Sequence, residues 1–598
     1  MSEQNGSAWM EDNGKDRNVT TWSEGNMAEK QAVSDEVRNV IASGSNFVNG
    51  AVSEGAKQQN TAYMETQETK RMKENFHFFG PAAFIYSVFY VFCLFHNKSG
   101  ITFPFFAAGS LLFMRLSLSK LGMSLKKGSK FYMAAIILLG ISTFCTADTR
   151  IISYNKLGCF LLMMSLLLKQ FCNTEKWRLG KFLGSICVMI VAVIGELNRP
   201  ISDAAAHRKN GGKKLDKRFW YGALGLLIGV PLTLAVLMLL ASADAIFREM
   251  TKKILANINL YNIISVLIQI VFVYFASYAL IAWLCSRKLK DEVVYRRTGE
   301  PVLAITITTL LTLIYLLFSG IQIAALFLGR MSLPQGYTYA MYAREGFFQL
   351  LGVSILNLVI VLLCMSYFRE STVLKVVLTV MSLCTFVMIA SSALRMIMYI
   401  RFYYLTFQRI LVLWGLVTLA VLFVGVVINI FKENFSFFRY GTAVVTVLYL
   451  VLSFAHPDYI IARVNVANAP GGSMAVLQGQ GGNSAVDTFM TNGARNEGGG
   501  ERFFLTSKPY EDYYYLRTLC ADAAPVLVPY LKELGYELEA FHAENPVSYA
   551  MDKGLELTGA AGFGYDWMKW VKRDIKGFGV RTYNVSRHIA LLMFRRYM

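Results

Sequence analysis

Charge is scarce in this chain. Only 17% of its 598 residues are Asp, Glu, Lys or Arg, against about 25% in an average soluble domain. Catalytic signatures are missing as well: there is no HExxH, no GxSxG, no GxGxxG and no phosphate-binding GxxxxGK followed by Ser or Thr. The six histidines (His77, His96, His207, His456, His542, His588) stand without ligand spacing, so they imply no metal site. Nine cysteines form no CxxC pair, and only Cys520 falls in the C-terminal region, which excludes a disulfide within that region. The other eight lie in or beside apolar segments and read as small apolar helix residues. No cofactor is implied. No charged stretch followed by a short apolar core opens the chain, so a cleavable signal peptide is not expected. An inverted repeat of the transporter kind is not visible either.

What is abundant is apolar length. Hydrophobic residues make up 55% of the chain and aromatics 14%. A hydrocarbon core of about 30 Å needs roughly 20 apolar residues at about 1.5 Å rise each. The run 219–242 (FWYGALGLLIGVPLTLAVLMLLAS) satisfies that, as do 259–284, 301–329, 373–400 and 410–430. The expected fold class is all-α: a polytopic transmembrane helical bundle of about 11 to 13 spans with a small, mostly helical C-terminal tail domain. Spans are predicted near 78–95, 101–118, 131–148, 151–168, 182–197, 219–241, 259–284, 301–329, 346–367, 373–399, 407–430 and 437–455.

The net charge of +19 gathers in short loops between these spans, where it sets orientation and meets anionic lipid headgroups rather than nucleic acid. Lys120, Lys126, Lys127 and Lys130 mark one cytoplasmic loop, and Arg199 to Arg218 mark another. Three predicted spans separate these loops, yet only an even number returns the chain to the same side. Either 151–168, which carries Asn155 and Lys156, or the short 182–197, which ends in Glu196, is then interfacial or re-entrant. Arg287, Lys288, Lys290, Arg296 and Arg297 mark a third cytoplasmic loop, and counting on from it puts the C-terminal region outside.

The expected organisation is a disordered polar tail at 1–75, the bundle at 76–455 and an amphipathic juxtamembrane segment at 456–467. A Gly-rich flexible linker follows at 468–501, then the soluble helical domain at 502–598. Within that domain, residues 511–534 have Tyr515, Leu516, Leu519 and Ala523 at helical spacing, with Gly535 as the stop. A domain of about 100 residues holds only a small core and is expected to lean on the bundle.

Polar residues at span boundaries supply the candidate site. In YTYAMYAREGFFQL (337–350), Arg344 and Glu345 form an ionisable pair at a membrane boundary, costly unless paired or wet. The bland alternative is an interfacial belt with Arg344 snorkelling to phosphate. Arg395, Arg401 and Arg409 lie among tyrosines in ALRMIMYIRFYYLTFQRIL (393–411), suited to an anionic group or to plain anchoring. Asp244 in SADAIF (242–247) is suited to proton or cation handling, or to simple solvation. Asp458 in HPDYIIARVNVA (456–467) completes the set. Gly225 and Gly229, with Pro231, permit close helix approach or a bend.

Four of these strings, YAREGFFQL, ADAIF, ALRMIMYIRFYYLTFQRI and HPDYIIARVNV, occur in one order that resembles the bacterial membrane-protein family catalogued as domain of unknown function 4173, sister of 4153. YLRTLCADAAPVL (515–527) and Asn584–Arg587 within TYNVSRHIA resemble it too. Val464 departs from the family's usual Tyr, and so does the Gly-rich insertion. The resemblance implies a bacterial integral membrane protein and carries over no catalytic residue. The functional expectation is transport or envelope sensing in the cytoplasmic membrane, with the N-terminus cytoplasmic. The alternative is a structural or regulatory partner whose C-terminal domain binds another protein. An enzyme on a lipid-linked substrate ranks third, for want of a carboxylate or histidine cluster. Topology is directly testable: reporter fusions after Gly211 and after Gly535 should report opposite sides, and the same side for both would refute the assignment.

Overall fold

The computed structural model describes residues 66–97, 100–174, 177, 179–209, 260–289, 297–324, 346–432, 435–467, 515–555, 562–576 and 579–598, with isolated positions between 225 and 249. The α-helices among them are α1 (Gln67–Glu74), α2 (Phe76–Leu94), α3 (Thr102–Lys120), α4 (Ser129–Cys145), α5 (Thr149–Phe171), α6 (Leu179–Gly195) and α7 (Arg199–Lys209). The second half contributes α8 (Leu260–Cys285), α9 (Pro301–Gln322), α10 (Phe347–Tyr367), α11 (Thr372–Tyr403), α12 (Phe407–Phe431), α13 (Phe437–Phe454) and α14 (Pro457–Ala467). The C-terminal region adds α15 (Ala524–Glu533), α16 (Pro546–Asp552), α17 (Phe563–Ile575) and α18 (Val585–Tyr597). No strand occurs among the described residues, only an isolated bridge between Gly299 and Phe368.

Nine described helices (α2, α3, α5 and α8 to α13) are long and apolar enough to cross a membrane. Their polarity is inverted relative to a soluble protein. Ser87, Thr143, Ser354, Ser382, Thr385, Ser391 and Ser392 are fully buried, whereas Ile85 is 67% exposed, Phe272 65% and Val302 71%. Hydrocarbon solvates the large apolar faces, and the small hydroxyl residues let backbones approach, returning their own protons to carbonyls one turn back. Ser354 Oγ donates to the Leu350 carbonyl at 2.8 Å and Ser382 Oγ to that of Leu378 at 2.7 Å in this way.

The two ends of the bundle differ. At one end the C-terminal helices cap it: the Ile101 N–H donates to the Tyr583 carbonyl at 2.8 Å and Arg581 Nη2 to that of Phe95 at 2.5 Å. Gly100 permits this contact, since a Cβ there would sit 2.4 Å from the backbone of Thr582. The far end carries the basic turns. There Arg71 donates to the Leu121 carbonyl, Lys126 to that of Cys172, and Arg287 pairs with Glu68 at 2.5 Å.

This arrangement resolves the parity conflict. α6 starts with Phe182 against Phe438, in the first turn of α13 (centroids 4.4 Å apart), and ends at Glu196, which Lys288 holds at 2.5 Å just beyond α8. Both contacts are at the far end, so the predicted span 182–197 does not cross. It lies over that end and bends by 58° into α7, where Asp203 accepts from Tyr278 and His207 meets Phe76. The segment 151–168, by contrast, is part of the full-length α5. Of the predicted span 219–241, only scattered residues lie within the description.

Three apolar cores organise the unit. One joins α1 to α6 with α8, a second joins α9 to α12, and a third joins the C-terminal helices to Ala147, Ile151, Leu405, Phe407, Ile461 and Ala462 at the capped end. The predicted helix 511–534 is corrected here to a broken one. Residues 511–514 lie outside the described residues, 515–516 are helical, and the chain turns at 517–518. After a 3-10 turn at Ala521–Ala523 a separate helix begins at Ala524, where Pro525 suits the first helical turn. It does stop at Gly535, whose φ is +79°.

α4, α5 and α13 meet through hydroxyls and one amide. Asn155 Oδ1 accepts from Tyr449 Oη at 2.8 Å and from Ser453 Oγ at 2.7 Å, while Ser142 and Ser453 Oγ lie 2.6 Å apart. Asn155→Leu removes the acceptor shared by the Tyr449 and Ser453 hydroxyls and should cost about 1–3 kcal/mol. The measurement is the thermal midpoint in detergent, and an unchanged midpoint would show that the network contributes nothing.

Candidate functional site

The site is built where the α4–α5 turn, the end of α13 and the C-terminal region converge. Thr146, Ala147 and Asp148 form the turn, and Asp148 caps α5 by accepting the Arg150 N–H at 2.8 Å. The α13 helix terminates at His456, whose φ of +48° is unusual for a non-glycine residue. Pro457 then opens α14 and places Asp458 in its first turn. From the C-terminal side the 3-10 turn presents Asp522.

One guanidinium joins two buried carboxylates. Arg150 grips Asp148 with Nε and Nη2, both at 2.9 Å, and Nη2 also reaches Asp458 Oδ1 at 2.5 Å. Its plane lies over the Phe407 ring, 4.0 Å from the centroid. The second oxygen of Asp458 accepts the Cys520 N–H at 2.9 Å. Asp522 accepts from Thr146 Oγ1 at 2.5 Å and the Ala147 N–H at 2.7 Å, and faces His456 Nδ1 at 3.1 Å. Asp148, Asp458 and Asp522 are 1%, 1% and 4% exposed. Three carboxylates thus meet one guanidinium and one titratable imidazole.

Titration follows from that imbalance. Burial and the neighbouring Asp148 carboxylate push Asp458 up to about 6, against the pull of Arg150 and the Cys520 N–H. Burial also works to raise Asp522, but hydrogen bonds from His456, Thr146 and Ala147 outweigh it and hold its carboxyl below the usual range. The hydrogen bond to Asp522 raises His456 above its ordinary value, with burial opposing. The arrangement can therefore clamp two parts of the chain together and take up or release a proton. No group of three or more His, Cys, Asp or Glu suited to a metal ion occurs among the described residues.

Further clamps surround the cluster. The Asn465 side-chain amide pairs with both the N–H and the carbonyl of Leu405, at 2.9 and 3.0 Å. Asn584 Nδ2 donates to the Thr146 carbonyl at 2.8 Å, and Tyr515 Oη accepts the Phe407 N–H at 2.8 Å.

Of the residues proposed from sequence that the structure describes, Asp458 alone belongs to this cluster. Arg409 caps the Tyr403 and Tyr404 carbonyls and lies over the Tyr399 ring. Arg395 is buried among α9 and α11 beside Gln322, which also accepts from Ser391 at 2.7 Å. Arg401 is exposed in the last turn of α11. Asp244 is exposed and accepts the Phe247 N–H at 2.6 Å, a local turn bond. Arg344 and Glu345 lie outside the described residues. Sequence reasoning missed Asp148, Arg150, His456 and Asp522. Asp522 and His456 stood inside strings already singled out, CADAAP and HPD, while Thr-Ala-Asp-Thr-Arg at 146–150 carried the signal of a helix N-cap.

The apolar helices and the capped bundle define a polytopic integral membrane protein. Within that class the chain belongs to the family described as a domain of unknown function (DUF4153), which residues 133–530 match. The resemblance to the sister family 4173 is corrected to this one. Cys145 to Asp458 and Cys520 to Asp522 fall within the matched residues, whereas Asn584–Arg587 lies beyond them. No curated protein and no solved structure matches the chain.

The pH response is predictable because the groups titrate in different windows. His456, raised in the folded state, stabilises fully below about pH 6.5, and that contribution is lost as pH rises through its folded value. Asp458 changes stability between about pH 4 and 6, its ionisation costing stability as pH rises. Thermal midpoints of the protein and of His456→Gln should therefore differ most near pH 6 and converge towards pH 9. A constant difference would exclude the imidazole charge as the cause.

Proposed function

We propose that this chain is a sensor or regulator of the bacterial cytoplasmic membrane. The basic far end faces the cytoplasm, and the C-terminal helices read the extracytoplasmic side. The observation that carries this reading is the Arg150 bridge. Asp148 belongs to the bundle, Asp458 follows its last helix, and Asp458 also holds the Cys520 N–H of the C-terminal region. A shift of the C-terminal helices therefore acts on buried ions at the ends of α5 and α13. Transport is less well supported, because the large cleft between the two halves is lined mainly by residues such as Leu157, Leu161, Leu358, Leu362 and Trp414. A protein partner binding through the C-terminal helices fits the same reading.

Hydrogen exchange in detergent tests the coupling. Arg150→Gln leaves two buried carboxylates without their cation. Because the guanidinium side chain is itself 37% exposed, the cost falls below the figure of about 3–5 kcal/mol for a fully buried pair. Exchange should rise in residues 515–598 and also at the far-end turns, residues 121–128 and 432–436. Faster exchange confined to the C-terminal helices would refute transmission through the bundle.

A further inference from the structure

The two halves of the bundle are separated by a cleft of about 1620 Å³ bounded by α5, α6 and α10 to α13. It exceeds the roughly 300–1,000 Å³ of ordinary small-molecule sites. Its walls are apolar along most of their length, and several lining residues are open to the surroundings, among them Leu363 (60%) and Val445 (40%). Among the described residues, charge enters the lining at one end only. Lys181, Arg297, Arg369 and Lys375 stand at the far end, with Glu370 among them.

These four cations outnumber their acids. Glu370 is shared between Arg297 and Lys375, Arg369 pairs with Glu300 at 3.0 Å, and Lys181 stacks over Trp177, 5.6 Å from the ring centroid. Among the described residues, four positive groups thus face two carboxylates. The side chains of Arg297 and Lys375 are each 34% exposed and that of Arg369 62%, so an outside anion can reach them. Apolar walls that end in an excess of cations match an amphiphile with hydrocarbon chains and an anionic head.

We infer that this cleft is a binding site for an anionic phospholipid. The acyl chains lie between α5 and α10 to α13, and the phosphodiester is held by Lys181, Arg297, Arg369 and Lys375. The site is independent of the Arg150 bridge and of its role.

Native mass spectrometry and thermal shift of the full chain in detergent test it. Phosphatidylglycerol should be retained and should raise the midpoint, while phosphatidylcholine of the same chains should do so much less. Each cation removed, in Lys181→Gln and in Lys375→Gln, should weaken phosphatidylglycerol retention by about fivefold, the effect of about 1 kcal/mol per cation near an anionic headgroup. Val445→Trp, which fills the cleft from a partly exposed wall position, should abolish retention while the unliganded midpoint stays unchanged. Equal retention of the two lipids would overturn the inference, since a cleft that only collects hydrocarbon has no headgroup preference. Equal stabilisation by glycerol phosphate alone would also overturn it, by showing an anion site without acyl recognition.

Discussion

The structure depends on the bridge that Arg150 makes between Asp148 and Asp458. A carboxylate removed from water is tolerated only where a charge partner and hydrogen bonds replace its hydration. Here the replacements come from different parts of the chain: the guanidinium from α5, the N–H from Cys520, and for Asp522 the hydroxyl and N–H of the α4–α5 turn. None of these acids is satisfied by its own segment alone, apart from the capping role of Asp148. The cluster is complete only when the bundle and the C-terminal helices are docked. Apolar burial around it, with Trp567 fully enclosed and donating to the Leu519 carbonyl, supplies adhesion, while the charges fix the register.

That dependence explains what the sequence could and could not reveal. The bundle was legible because hydrocarbon imposes a requirement on every residue of a span, so the signal accumulates over about 20 positions. α8 to α13 follow the predicted segments closely for that reason. The segment 182–197 failed because hydropathy reports an apolar environment and not a crossing. α6 is apolar enough to lie against the bundle, yet both its ends are held on one side by Phe438 and Lys288. The conflict among basic loops was the better guide, since it counts sides rather than apolar length.

The site was legible only in fragments. Asp458 was named, but its partner Arg150 lies 308 positions away in sequence and Asp522 reaches a turn 375 away. Nothing periodic links such residues, and a lone Asp beside an apolar run resembles an ordinary cap, which is what Asp148 also is. The arginines of 393–411 drew attention because they were dense. Arg409 serves carbonyls at the turn between α11 and α12, and Arg395 serves a separate buried group with Gln322. Density of charge at a boundary therefore said less than the positions where a helix stops.

Helix stops also connect the bridge to the rest of the molecule. At the capped end α13 ends on a left-handed His456, α11 ends at Tyr404 with φ of +59°, and α5 starts on Asp148. Two of these stops are held by a group from elsewhere, Asp522 facing His456 and Asn465 pairing with Leu405, while Asp148 is held by Arg150 of its own helix, which also reaches Asp458. Left-handed backbone at a non-glycine residue is costly, so such positions persist only when their surroundings over-determine them. Below them, α5 and α13 run on to the cleft, whose walls they share with α10 to α12. A change of charge at the capped end thus acts on the ends of rigid helices rather than on loops. The same helices border the cleft that separates the two halves, so the junction and the cleft share α5 and α13 while differing in chemistry, the one closed by paired charges and the other walled by apolar side chains.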